Sequence, residues 1–185
     1  QIPGGCSVWE GIREMSPGAE LSVDGSLASP DRHDVAVVVI GENPYAEGMG
    51  DVRASDQVIV ESGSMIRGQM KVLEAYGTTL ELARLHPEDL ATIRSIAARG
   101  VPVVAVLVSG RPLVVNQELA NSAAFVAAWL PGSEGKGVAD VLFGAHDFQG
   151  RLSFSWPKDD LQRANVGDAD YDPLFEFGYG LSYAS

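Results

Sequence analysis

Residues 103–108 read Val-Val-Ala-Val-Leu-Val, six consecutive apolar positions of which four are β-branched. Two further runs have the same character, at residues 35–40 (VAVVVI) and 124–130 (AFVAAWL). None of the three alternates with polar residues. Continuous apolar runs of this length are typical of strands that are buried on both faces of a parallel sheet covered by helices. The sequence therefore predicts an α/β fold built on a largely parallel sheet.

Helical patterns lie before and between these runs. Residues 87–99 begin with Pro87, carry acidic residues in the first turn and are followed by Gly100, which together predict a helix. Residues 8–15 follow the start of a Ser-x-x-Glu capping box and also predict a helix. A third helix is predicted over residues 134–143. With helices on both sides of the sheet, residues 1–185 are expected to form a single α/β sandwich domain.

Three other segments give weaker patterns. Residues 151–156 (RLSFSW) alternate, which predicts an edge or antiparallel strand. Within residues 48–85, Ile66, Met70 and Leu73 have helical spacing and predict a helix. The aromatic residues of the C-terminal segment are interpreted as core rather than as a platform for sugars; they are Phe175, Phe177, Tyr179 and Tyr183.

Composition excludes several classes of function. The formal net charge is −12 with no basic block, which argues against nucleic-acid binding. No apolar run approaches the roughly 20 residues that a membrane-spanning helix needs. Cys6 is the single cysteine and the three histidines are far apart, so neither an internal disulfide nor a metal site is expected.

The familiar cofactor and nucleophile motifs are missing. Residues 131–137 (PGSEGKG) approach a P-loop, but Leu130 and Gly137 stand where glycine and Ser or Thr would be needed. These glycines are expected to let the following helix pack close to the sheet. Neither a dinucleotide-binding GxGxxG nor a GxSxG nucleophile elbow is present. No cofactor is therefore expected.

Candidate chemistry lies in the loops after the predicted strands, where open α/β sheets bind ligands. The first loop, residues 41–51 (GENPYAEGMGD), holds three carboxylates and is either a site for general acid/base chemistry or a solvated acidic loop. The second, residues 109–112 (SGRP), carries Arg111. That arginine is either an anion-binding donor or, as we favour, a structural residue that pairs with a carboxylate such as Asp51 or caps backbone carbonyls.

Five stretches in order carry a family resemblance. They are VAVVVIGENPYAEGMGD, PVVAVLVSGRPLVVNQEL, AFVAAWLPGSEGKGVADVLFG, FQGRLSFSWP and YDPLFEFGYGLSY, and together they cover most of residues 34–183. This pattern resembles the second domain of glycoside hydrolase family 3, in its β-glucosidase and exo-β-glucanase branch. The resemblance implies an α/β sandwich, in agreement with the strand pattern.

The resemblance also implies an activity and one site residue. Members are retaining exo-glycosidases that remove glucose from β-glucosides. Their nucleophile is an aspartate on a TIM-like barrel domain, and their general acid/base is the last glutamate of a GE-x-PY-x-E loop. That position is Glu47 here, and Glu42 is the earlier, more structural glutamate. Glu47 lies further from the strand end and next to Gly48, so it is the better placed of the two to reach a neighbouring domain.

The barrel, its nucleophile and a pocket tryptophan of the family are not in these 185 residues, so we expect one piece of an enzyme that is inactive alone. Its expected partners are the N-terminal barrel of the same enzyme and a β-glucoside or β-glucan oligosaccharide. Residues 52–85 are longer than in plant members and are expected to form an insertion near the pocket rim. The resemblance further implies a periplasmic or secreted enzyme. The alternative is a non-catalytic, flavodoxin-like module that binds a small ligand or a partner.

Overall fold

Ten helices and strands are found within the residues that the computed structural model describes, which are 3–43, 63–66, 69–72 and 78–184. In chain order they are α1 (Val8–Met15), β1 (Ala36–Gly41), β2 (Gly63–Ile66), β3 (Gln69–Val72), α2 (Leu82–Leu85), α3 (Pro87–Ala98), β4 (Val103–Val108), α4 (Asn116–Ala120), β5 (Ala124–Trp129) and α5 (Gly135–Leu142). None of the helices in this part of the chain is long and apolar enough to cross a membrane.

The three apolar runs form one parallel sheet with the order β1-β4-β5. Val37 lies opposite Val104 in the first pair of strands, and Val106 lies opposite Val126 in the second. The predicted α/β fold with a parallel sheet is therefore confirmed. The three strands end at the same edge because parallel strands in register share their direction.

Burial differs between the strands in a way that the sequence did not indicate. β4 is the central strand, and Val103, Ala105, Val106 and Leu107 are at most 1% exposed. In β1 only Ile40 is buried, and β5 has no fully buried residue. Within the described residues, β1 and β5 each pair along one side only. Burial on both faces was thus predicted correctly for β4 and wrongly for its two neighbours.

Helix α3 covers β1 and β4 and supplies much of the core. Leu90, Ile93 and Ile96 recur at helical spacing and are all buried, with Ile93 at 0% exposure. Pro87 opens the helix, where its missing N–H costs nothing. After the helix, the Arg99 guanidinium donates to the carbonyls of Gly25, Ser26 and Ala28, at 2.6–3.1 Å.

Helices α1 and α5 pack closely through glycines. Ser7 caps α1 in the predicted capping box, since its side chain accepts from the Glu10 N–H and the Glu10 carboxylate accepts from the Ser7 N–H. A Cβ added at Gly135 would lie 2.2 Å from the Ser7 carbonyl carbon. The glycines of this segment were expected to bring the helix close to the sheet. Gly135 instead brings α5 close to the start of α1.

The helix predicted from the spacing of Ile66, Met70 and Leu73 was wrong at the first two residues, and Leu73 lies outside the described part of the chain. A helix was expected within residues 48–85, but β2 and β3 pair antiparallel, with Met65 opposite Met70. Two residues, Arg67 and Gly68, separate these strands in sequence, and that spacing is typical of a β-hairpin. The helical spacing of the apolar residues was therefore coincidental. Helices α2 and α4 were not predicted, and both are short.

Residues 151–156 run antiparallel to the C-terminal segment, as expected, but do not form a regular strand. Trp156 and Phe175 form an isolated antiparallel bridge, and Leu152 exchanges backbone hydrogen bonds with residues 178 and 179. Trp156 is 3% exposed, and its Nε1–H donates to the Leu113 carbonyl at 2.7 Å. This bond ties residues 151–156 to the core.

The C-terminal aromatic residues are only partly in the core. Phe175 packs against the core cluster, as expected. Phe177, Tyr179 and Tyr183 are 62%, 40% and 57% exposed, so the core interpretation was wrong for these three. Tyr179 stacks on Phe175 with ring centroids 4.5 Å apart. The exposed rings leave an aromatic surface on this side of the domain.

Candidate active site

The carboxyl ends of the three parallel strands meet at Ser109, the residue after β4. Its N–H donates to the carbonyl of Trp129, the last residue of β5, at 3.1 Å. From the other side, the N–H of Glu42, the residue after β1, donates to the Val108 carbonyl at 3.3 Å. The end of β4 thus lies against the ends of both neighbouring strands. This is the edge where the sequence predicted a site.

β1 ends in close contact with β4 because residue 41 has no side chain. A Cβ at Gly41 would lie 2.2 Å from the Val108 carbonyl oxygen, closer than any real contact. Glycine therefore lets the two strand ends approach. On the other flank, the Asp89 carboxylate of α3 accepts a long hydrogen bond from the Gly41 N–H at 3.4 Å.

Glu42 and Arg111 form a buried ion pair at this edge. The Glu42 side chain is 4% exposed and that of Arg111 is 13% exposed. Arg111 donates through Nε and Nη2 to the same carboxylate oxygen, Glu42 Oε1, at 2.9 and 2.7 Å. Charge-assisted bonds of this length are the strong ones, and two of them fix the orientation of the guanidinium plane relative to that oxygen.

The second carboxylate oxygen of Glu42, Oε2, lies beside the Ser109 hydroxyl. The Ser109 hydroxyl lies 3.1 Å from Glu42 Oε2 and in hydrogen-bond contact with the Arg111 carbonyl oxygen. It also accepts from the Arg111 N–H at 3.1 Å. The hydroxyl has a single proton, so it donates to one of its two acceptors at a time. Glu42, Ser109 and Arg111 therefore form one compact cluster, which we call the carboxyl-edge cluster.

The structure decides between the two interpretations of Arg111. Arg111 pairs with a carboxylate of its own domain, so the favoured structural interpretation is confirmed, and Glu42 is a partner. Glu42 is buried, in keeping with the structural role implied for it. Glu47, the predicted acid/base, and Asp51, named as a possible partner of Arg111, lie outside the described residues.

Trp129 closes β5 in a strained conformation. Its φ of 55° is in the left-handed region, which a non-glycine residue seldom adopts, and the β4–β5 register shifts at this point. The ring lies edge-on to Phe154, with centroids 5.6 Å apart, and equally close to Trp156. The shift lets the Trp129 carbonyl reach Ser109 while the Trp129 ring packs on Phe154 and Trp156.

An apolar groove of about 830 Å³ extends from this edge along β5. One wall is β5 itself, and the other is formed by residues 150–156 and 179–183. Arg111 and Trp129 contribute to its end nearest the carboxyl-edge cluster. Phe154 and Tyr179, 37% and 40% exposed, present ring surface to solvent here. Such aromatic surface is typical of a face that another part of a protein covers.

A buried acid lies away from this edge, on α4. Glu118 is 0% exposed, and neither carboxylate oxygen has a hydrogen-bond partner within the part of the chain that the structure describes. Burial raises the pKa of Glu118; its own backbone N–H and the Arg94 guanidinium oppose this, and the negative charges of Asp89 and Glu81 add to it. Burial likewise raises the pKa of Asp89. Glu118 is therefore biased toward its neutral form.

Metal chemistry finds no support in this part of the molecule. Within residues 3–43 and 78–184, no three His, Cys, Asp or Glu side chains are grouped so that they could hold an ion. Cys6 is a free thiol that donates to the Ser7 carbonyl at 3.3 Å.

Sequence reasoning located the edge but missed two of its residues. Ser109 was part of a loop considered only for its arginine, and its hydroxyl contacts with Glu42 and Arg111 depend on the tertiary structure. Trp129 was interpreted simply as strand. Nothing in the sequence of a Trp-Leu-Pro stretch indicates a positive φ at the tryptophan.

Comparison with known proteins identifies the family. The family model described as the glycosyl hydrolase family 3 C-terminal domain matches residues 2–183. The crystal structure of an exo-1,3/1,4-beta-glucanase from a Pseudoalteromonas species superposes on 99% of this chain and 21% of that one, with 44% identity and a TM-score of 0.77.

Two curated proteins show the same relationship. A periplasmic beta-glucosidase of Salmonella typhimurium is 30% identical over 91% of this chain and 25% of its own length. A lysosomal beta glucosidase of Dictyostelium discoideum is 29% identical over the whole chain and 22% of its own length. The chain spans a quarter or less of each of these relatives. Since the match to the family model covers nearly every residue, the chain belongs to glycosyl hydrolase family 3, as its C-terminal domain.

Proposed function

We propose that this chain is the second domain of a retaining, exo-acting β-glucosidase or β-glucan glucosidase. In this proposal the active site is shared with an N-terminal TIM-like barrel, which carries the aspartate nucleophile. The observation that carries it is the match to the family's C-terminal domain over residues 2–183, combined with a chain that covers only about a quarter of its relatives. The remaining length of such an enzyme has room for the barrel.

The chemistry assigned to this chain is one proton transfer by Glu47. The barrel's aspartate attacks the anomeric carbon while the Glu47 carboxyl protonates the departing glycosidic oxygen, so the C–O bond breaks and a glycosyl–enzyme ester forms. Glu47, now a carboxylate, then takes a proton from water, which attacks the anomeric carbon and releases sugar and aspartate. In retaining glycosidases the two carboxyl groups stand about 5–5.5 Å apart.

Support for this assignment comes from the edge from which the Glu47 segment departs. In open α/β sheets ligands bind beyond the carboxyl ends of the strands. Here that edge is held together by the carboxyl-edge cluster, and an apolar groove of about 830 Å³ opens beside it. We propose that the rest of the same polypeptide covers this groove, because its walls carry exposed aromatic rings such as Phe154 and Tyr179, and clustered exposed apolar groups mark interaction sites.

The experiment is reconstitution. The chain is mixed with its barrel, or joined to it in the complete enzyme, and assayed on aryl β-glucosides; activity is expected only when both parts are present. Glu47→Gln should lower kcat/KM about 10²–10⁴-fold for poor leaving groups and far less for 2,4-dinitrophenyl glucoside, since an activated aglycone departs without protonation. Azide should restore turnover of this variant by replacing the water step.

Glu176→Gln is the matched control, because Glu176 is an exposed glutamate of the same domain and should keep wild-type kinetics. Full activity of Glu47→Gln on poor leaving groups would remove Glu47 from the acid/base role. Activity of the chain alone would overturn the shared site. Tight binding of a small ligand by the chain alone, without any activity in the mixture, would favour the flavodoxin-like binding module instead.

The substrate class and the compartment are parts of the same proposal. We expect β-glucosides and β-glucan oligosaccharides, and comparing p-nitrophenyl β-glucoside with the β-xyloside tests the choice of sugar. Relatives named as periplasmic and lysosomal enzymes support a location outside the cytoplasm. Periplasmic or extracellular export is tested by fractionating cells that express the natural gene; recovery with cytoplasmic markers would contradict it.

A further inference from the structure

We propose that the Glu42–Arg111 ion pair is a positioning device for proton transfer, which holds the chain at residue 42 so that Glu47 is presented in a reactive geometry. The inference rests on the proposed role of Glu47. It adds three positioning residues, Glu42, Ser109 and Arg111, none of which is assigned a chemical step.

The first argument is that both carboxylate oxygens of Glu42 lie within hydrogen-bonding distance of a donor. Oε1 accepts two hydrogen bonds from Arg111, at 2.7 and 2.9 Å, and Oε2 lies 3.1 Å from the Ser109 hydroxyl. Its backbone N–H is bonded to β4 as well, at 3.3 Å. A residue held in this way gives the chain that follows a defined starting point. Glu47 is five positions further along.

The second argument concerns energy. Two side chains that are 4% and 13% exposed have lost most of their hydration. A buried ion pair recovers that cost only partly, and apolar replacements of similar volume are often as stable or more stable. Stability alone is therefore a poor reason for placing this pair at the edge of the sheet. Geometric precision is a better one, because two bonds to one oxygen fix an orientation as well as a distance.

The third argument is location. The pair bridges the ends of β1 and β4, and Ser109 links it to the end of β5 through Trp129. All three strands thus contribute to holding the point from which the acid/base segment departs. A displacement of about 1 Å at a reacting group can lower the rate about 10²-fold. Holding the chain rigidly at residue 42 would therefore favour proton transfer by Glu47.

The test uses the complete enzyme and compares leaving groups. Arg111→Met should lower kcat/KM about 10–100-fold for an alkyl or unsubstituted phenyl β-glucoside and less than about threefold for 2,4-dinitrophenyl glucoside. Arg111→Met leaves the buried Glu42 side chain without its cation, so the double variant Glu42→Met/Arg111→Met is made in parallel. The double variant removes both partners of the ion pair. It should fold and show the same dependence of kcat/KM on the leaving group. Arg84→Met is the control, since Arg84 is 58% exposed and lies in α2.

A double-mutant cycle separates positioning from general damage. If the pair acts through Glu47, adding Arg111→Met to Glu47→Gln should lower kcat/KM for the poor leaving group less than about threefold further. Losses that multiply in the double variant, or that are equal for all leaving groups, would overturn the positioning role while leaving the Glu47 assignment intact. A raised KM with unchanged kcat would instead make Arg111 a substrate contact. If Glu47→Gln itself lacks leaving-group dependence, the proposed function fails first.

Discussion

Removing the charge of Glu118 should stabilise the protein at neutral and alkaline pH. Glu118 lies on α4 at 0% exposure, with both carboxylate oxygens unpartnered among the described residues. Burial raises its pKa against the opposing effects of its own backbone N–H and of Arg94, and Asp89 and Glu81 raise it further. Glu118→Gln keeps the shape of the side chain and cannot ionise. The comparison therefore isolates the cost of the buried charge.

The sign follows from linkage. Below the unfolded-state pKa of about 4.3 both states are protonated, so variant and wild type should differ little. Above this pKa the Glu118 carboxyl loses its proton in the unfolded chain, whereas in the folded protein it stays protonated up to its raised pKa. Wild-type stability then falls as pH rises, by up to about 1.4 kcal/mol per pH unit, until the raised folded-state pKa is passed. The variant lacks this loss, so its advantage grows with pH and then levels off.

The size of the effect follows from burial. Leaving a buried polar group unsatisfied costs roughly 1–3 kcal/mol, and more when it is charged. For a chain of this size each kcal/mol shifts Tm by about 2–4 °C, which gives a Tm advantage of about 2–12 °C at pH 8. At about pH 4 the advantage should vanish.

Thermal unfolding from about pH 4 to about pH 8 measures this directly. Glu176→Gln provides the control, because Glu176 is exposed and its replacement should leave the pH profile unchanged. Glu118→Met separates charge from hydrogen bonding: it should show the same pH trend, with an added gain if the apolar chain fills the site. A Glu118→Gln advantage that is constant with pH, or a variant less stable than wild type under alkaline conditions, would refute the reasoning.

Two further predictions test packing. Gly135→Ala should destabilise the protein by about 1–3 kcal/mol, because the new Cβ would lie 2.2 Å from the Ser7 backbone. Gly137→Ala lies in open space in the same helix and should stabilise the protein by about 0.5–1 kcal/mol. Equal effects of the two substitutions in denaturant titrations would contradict the close α1–α5 contact. Trp156→Phe should cost about 1–3 kcal/mol, seen as a lower midpoint of urea unfolding with an unchanged slope, because the buried Leu113 carbonyl loses its donor at 2.7 Å. A midpoint equal to that of wild type would show that this bond contributes nothing.

The fold was predictable where one local signal dominated. The continuous apolar runs at β1, β4 and β5 indicated parallel strands, and the starts of α1 and α3 are marked by Ser7 and Pro87. Prediction failed where a pattern had two meanings. Ile66 and Met70 are four positions apart, which suits a helix face, but they lie on two strands that pair as a hairpin across a two-residue connection. Local spacing does not decide between these outcomes.

The site was predictable as a place and less so as a set of contacts. Parallel strands bring their carboxyl ends to one edge, so Glu42 and Arg111 could be expected near each other from strand order alone. The register shift at Leu107–Val108 and the positive φ at Trp129, which accompany the bond between the end of β5 and Ser109, could not be predicted from the sequence. Both are tertiary features, because they arise where the end of β5 hydrogen-bonds to β4 and also packs against Phe154 and Trp156.

The two buried acids illustrate different consequences of the same desolvation cost. Glu42 has a cation and a hydroxyl within bonding distance, and these contacts hold its side chain in place. Glu118 has no such partner among the described residues, so burial acts on its pKa instead. We propose that the ion pair at the edge of the sheet orients the chain beyond it, whereas Glu118 has no comparable contact to make in the described part of the chain. Function should therefore depend on Glu42, and pH-dependent stability on Glu118, which is what the two sets of variants distinguish.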